Sequence, residues 1–151
     1  MLRYHLLHPE LLAALAGAGH GSTILIADGN YAHRTGTRPA APVIHLNLRP
    51  GLLTVDHVLS TLVEAAPFER ATVMAPDDGS PSPVLERYRQ ALGTEVAFDV
   101  VDREQFRNAC RSPDLAATVA TADERHYANI LLTVGAMAKP GAGRSSPRNG
   151  I

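Results

Sequence analysis

Short aliphatic runs alternate along the chain with longer stretches whose apolar residues recur at helical spacing. The runs are "TILIA" (23–27), "VIHLN" (43–47), "RATVMA" (70–75), "EVAFDVV" (95–101), "LAATVAT" (115–121) and "NILLTVG" (129–135). The helical stretches are "HPELLAALAGAGHG", "TVDHVLSTLVEAAP", "PVLERYRQALG" and "DREQFRNACR". Pro9 suits a first helical turn, and Gly17 and Gly19 suit the end of that helix. Asp102 and Gln105 have the spacing of a capping box. Such an alternation predicts a single-domain α/β layered sheet of about six mostly parallel strands with flanking helices.

That domain is expected to occupy residues 1–137. The tail, 138–151, which carries "KPGAGRSSPRNGI", has too little apolar content to pack and is expected to be disordered. Between the first two strands, "DGNYAHRTGTRPAAP" is a long polar loop, and long loops in compact domains tend to carry function.

Composition removes several classes of function. The formal net charge is −1, which gives no general electrostatic reason to expect nucleic acid or an anionic membrane as a partner. Cys110 is the only cysteine, so a disulfide within the chain and a cysteine-based zinc site are both set aside. The remaining histidines, among them His33, His45, His57 and His126, lack metal-ligand spacing, and no H-E-x-x-H is present. No metal and no cofactor are expected. There is no G-x-S-x-G and no phosphate loop, and "GAGHG" lacks the glycine spacing of a dinucleotide fingerprint. The first residues include Arg3, His5, His8 and Glu10, unlike a signal peptide, and no run of about 18 apolar residues occurs. A cytoplasmic protein is expected.

In open α/β sheets, ligands bind beyond the carboxyl ends of the strands. Asp28 directly follows the first strand, and Arg103 lies just after the strand 95–101. Their everyday alternatives are a turn former and a solvated arginine. Arg103 has no obvious local acid to pair with. His20 sits between glycines, which leave the backbone open to a ligand, and histidine is the side chain best suited to proton transfer near neutrality. Its alternative is a histidine projecting from a helix end. Tyr127 and Asn129, read as alternating into a strand start, point to one side and offer a hydroxyl, a flat apolar face and an amide. A tyrosine at the core edge and an asparagine in a turn are the competing reading.

"LLAALAGAGHG", "ILIADGNY", "DREQF" and "ERHYANILLTVG", in this order and at these distances, resemble segments of the D-ribose pyranase / L-fucose mutarotase family. The resemblance runs from about Leu6 to Gly135. It implies cofactor-independent interconversion of monosaccharide ring forms and anomers. It places the proton-transferring histidine at His20, the substrate-binding carboxylate at Asp28 and a basic ligand residue at Arg103. Its Tyr-x-Asn pair falls on Tyr127 and Asn129, with Tyr127 stacking on the sugar or sharing in proton transfer. It also implies a ring-shaped homo-oligomer such as a decamer. Arg103 and the pair Glu124–Arg125 resemble the fucose branch of the family, which favours L-fucose mutarotase. The alternatives are a D-ribose pyranase and a non-catalytic sugar-binding accessory. The loop departs from the fucose branch, because Ala32 follows Tyr31 with no proline between them.

His20 and Asp28 are eight residues apart, and the strand between them spans about 16 Å. The two flank one sugar within a chain only if residues 20–22 fold back sharply. Otherwise the histidine of one subunit meets the aspartate of another, which is the preferred expectation.

Overall fold

The computed structural model describes residues 2–137. The tail expected to be disordered, 138–151, lies outside the described residues.

The elements run α1 (Pro9–Gly17), β1 (Thr23–Ala27), β2 (Val43–His45), α2 (Val55–Ala65), β3 (Phe68–Met74), α3 (Leu85–Leu92), β4 (Ala97–Val101), α4 (Arg103–Cys110), β5 (Leu115–Ala120) and β6 (Ile130–Val134). All six strands form one sheet in the order β2-β5-β1-β6-β3-β4. Five strands run parallel. The exception is β6, which lies antiparallel between β1 and β3. The expected layered sheet is therefore present, with one reversed strand near its middle.

Period-two alternation divides β1 between two cores. Ile24 and Ile26 face one layer, where Leu11 of α1, Leu59 and Leu62 of α2 and Tyr88 of α3 close over the sheet. Leu25 and Ala27 face the other, where Phe106 and Cys110 of α4 pack with Leu131 and Met74. Both faces of β1 are thus covered, which explains why "TILIA" carries no polar residue beyond its first position. Three helices cover one face. On the other, α4 shares the work with the loop 28–42.

α4 starts where its sequence says it should. Asp102 Oδ1 accepts from the Gln105 backbone N–H at 2.8 Å, and Gln105 Oε1 accepts from the Asp102 N–H at 3.3 Å. This capping box fixes the first turn, and with it the direction in which Arg103 leaves the sheet edge.

Candidate functional site

Asp28 ends β1 and is buried, at 2% exposure. Its carboxylate is held on three sides. Oδ1 accepts from the Asn30 N–H at 2.9 Å, and Oδ2 accepts from Asn129 Nδ2 at 2.8 Å and from the Ala128 N–H at 3.3 Å. Asn129 also accepts from the Asp28 backbone N–H at 2.8 Å, so the two residues clasp each other. The reversed direction of β6 makes this possible. Residues that precede β6 lie at the same sheet edge as residues that follow β1. Burial pushes the Asp28 carboxyl above its ordinary value, and the N–H groups of Asn30 and Ala128 oppose that shift.

Above this pair opens a cleft of about 340 Å³. Asp28, Asn129, Tyr127 and Arg103 all line it, together with Arg107, Arg111 and His126. Its volume lies within the range of small-molecule sites. The loop 28–42 supplies one wall through Asn30, Tyr31, Ala32, Thr35 and Gly36. That wall is tied down. The Tyr31 ring meets Phe106 edge-on at 6.3 Å, its hydroxyl donates to the Gly36 carbonyl at 3.0 Å, and His33 bonds the Asp28 carbonyl through Nε2 at 2.8 Å. A Cβ at Gly36 would lie 2.9 Å from the Ala32 carbonyl oxygen, so the loop closes this tightly only around glycine.

Arg103 and Asp28 share the sheet edge, as expected, although β1 and β4 are separated by β6 and β3. The reading that Arg103 lacks an acid partner is corrected. Asp77, after β3, takes hydrogen bonds from its Nε and Nη2, and the pairing holds the Asp77 carboxyl below its ordinary value. Arg103 Nη2 also donates to the Tyr127 hydroxyl at 3.0 Å, and its guanidinium lies 5.6 Å from the Tyr127 ring centroid. Arg103 thus fixes Tyr127 over the cleft.

Tyr127 and Asn129 both reach the cleft, but not by strand alternation. β6 begins only at Ile130, and Tyr127 sits in a turn with φ 60°, a left-handed conformation that a bulky residue rarely adopts. The turn is clamped on both sides. Before it, Arg125 donates to the buried Asp123 and to Asp56. Burial opposes ionisation of Asp123, but Arg125 and the Val55 N–H outweigh it and hold the carboxyl low. After it, the Tyr88 hydroxyl donates to the Ala128 carbonyl at 2.7 Å.

His20 is not in the cleft. Residues 20–22 do not fold back. The Gly21 N–H donates to Val134 and the Ser22 N–H to Gly19, which places the segment at the far end of the sheet. One whole strand, about 16 Å, separates the imidazole from Asp28. There His20 Nε2 meets Glu69 at 2.9 Å, with its side chain 61% exposed. It borders an apolar groove formed by Tyr4, Leu12, Leu15, Pro67 and Met137.

Three polar cleft residues outside the 28–42 loop escaped the sequence reading. Arg107 and Arg111 repeat the spacing of Arg103 at four-residue intervals, a same-face signal that was legible. His126 gave no signal beyond its place beside Tyr127. Among the described residues, no group of His, Cys, Asp and Glu is arranged to hold a metal ion, and no helix is long and apolar enough to cross a membrane.

Residues 1–137 match the RbsD / FucU transport protein family. A D-ribose pyranase of Paracidovorax citrulli is 33% identical over 136 residues, covering 89% of this chain and 98% of that protein. The human fucose mutarotase is 31% identical over 149 residues, covering 88% and 91%. The structure of Bacillus subtilis RbsD complexed with D-ribose superposes with a TM-score of 0.78 at 24% identity, covering 91% of this chain and all of that one, and so shares the fold. By sequence along nearly its whole described length, the chain belongs to the RbsD / FucU family.

Proposed function

We propose that the chain is an isomerase that interconverts the ring forms and anomers of a monosaccharide in this cleft, without a cofactor, and that its sugar is L-fucose. The observation that carries the reading is the clasped Asp28–Asn129 pair beneath an open cleft of sugar size. A carboxylate has about four acceptor sites, and three of those on Asp28 are taken by Asn30, Ala128 and Asn129. The site that remains, on Oδ1, receives a sugar hydroxyl. Asn129 fixes the carboxylate, Arg103 bonds a hydroxyl or ring oxygen from the opposite wall, and Tyr127 offers its face to the ring. L-Fucose is favoured by Arg103 and by Glu124–Arg125. D-Ribose is the second reading, supported by the pyranase relative, whose identity is as high as that of the fucose relative.

Mutarotation opens a cyclic hemiacetal and closes it again. The anomeric hydroxyl loses a proton as the bond from C1 to the ring oxygen breaks, and the ring oxygen gains one. We assign one of these transfers to His20 of a neighbouring subunit in a cytoplasmic homo-oligomer, a ring such as a decamer. Its exposure, its tether to Glu69 and the apolar groove beside it support that placement. Saturation-exchange NMR tests the reaction. Addition of the protein should accelerate anomer exchange of L-fucose more than pyranose–furanose exchange of D-ribose. Exchange at the buffer rate for both would overturn the reading.

A further inference from the structure

We infer that His126 is a second proton-transferring residue, acting within the cleft of its own chain. This rests on the reading of the cleft as a ring-interconversion site. Opening a hemiacetal needs a group that takes a proton and another that gives one. His20 of a neighbour supplies one such group. The cleft itself is lined by an aspartate, tyrosines, arginines, amides and His126. Tyrosine and arginine ordinarily ionise far above neutrality, and histidine is the side-chain type that exchanges protons there. Asp28 already takes three hydrogen bonds on its carboxylate, and its remaining acceptor site is the one assigned to binding a sugar hydroxyl.

The turn around His126 favours the same assignment. Arg125 before it is locked to Asp123 and Asp56, and Ala128 after it is locked to Asp28 and Tyr88. Tyr127 between them stays left-handed, a strained conformation for a bulky residue that neighbouring contacts must hold in place. The imidazole in this rigid turn is itself exposed and lines the cleft shared with Asp28 and Asn129. It is therefore presented to a ligand and not spent on the fold.

Neutral His126 accepts the proton of the anomeric hydroxyl, and the C1–O1 bond becomes a carbonyl. The electron pair of the bond from C1 to the ring oxygen goes to that oxygen, which takes a proton from the protonated His20 of the neighbour. Closure on the other face of the carbonyl reverses both transfers.

The test compares the full-length wild type with His126→Gln and His126→Ala in anomer-exchange NMR on L-fucose and D-ribose, with sugar affinity measured by calorimetry. The inference predicts that exchange falls about 100-fold or more in both variants. Affinity should stay within about threefold, and added imidazole should restore part of the rate in His126→Ala. Exchange within about twofold of wild type overturns the assignment while leaving the ring-interconversion reading intact. Exchange and affinity lost together, with no rescue by imidazole, also overturn it, because His126 is then a binding residue. A wild type that accelerates neither sugar removes both readings.

Discussion

Asp28 lies buried at the floor of the cleft, and its burial has a measurable consequence. A carboxyl whose folded value is raised binds more protons in the native state than in the unfolded state. Stability therefore falls as pH rises from the unfolded value of about 3.8 through the raised native one. Asp28→Asn removes this dependence. Thermal unfolding at stepped pH should show the stability of wild type, relative to Asp28→Asn, declining as pH climbs above 4. A difference that grows with pH would mean that Asp28 is held ionised. The sequence placed Asp28 at the strand end correctly, because β1 is bounded sharply by its composition. It could not reveal the clasp with Asn129, a contact between residues 101 apart in the chain.

At the level of elements, α4 and the reversed strand β6 decide what faces the cleft. α4 carries Arg103 and Arg107 along one side, Arg111 follows at its C-cap, and the capping box fixes the first turn of the helix. Asp102→Ala should destabilise the protein by about 1 kcal/mol in urea unfolding, and should weaken sugar binding because Arg103 loses its fixed start. A loss of stability with unchanged affinity would show that the Asp77 pairing alone positions Arg103. The capping box was legible from spacing. The direction of β6 was legible in principle. Only nine residues join β5 to β6, whereas a parallel crossover needs about a dozen or more. The expectation that Tyr127 and Asn129 alternate in a strand failed because the clamps on Arg125 and Ala128 stabilise a left-handed turn. No local propensity announces such a turn at a tyrosine.

On the scale of the whole molecule, the two ends of the sheet carry different chemistry. One end holds the cleft. The other holds His20, the groove beside it and exposed apolar side chains that include Tyr4 at 43% and Met137 at 79%. That separation was read from the length of one strand, since a five-residue strand cannot bring its ends together. A site that needs both ends needs two chains, placed so that the His20 end of one meets the cleft end of the next. Such a head-to-tail contact is heterologous and closes into a ring when its rotation allows. The direct test mixes His20→Ala with Asp28→Asn after confirmed subunit exchange, and measures anomer exchange of L-fucose by NMR. Each variant alone should be inactive. An equal mixture should recover about a quarter of the wild-type rate, the share of sites that draw His20 from one variant and Asp28 from the other. A mixture as inactive as its components would contradict a site shared between subunits.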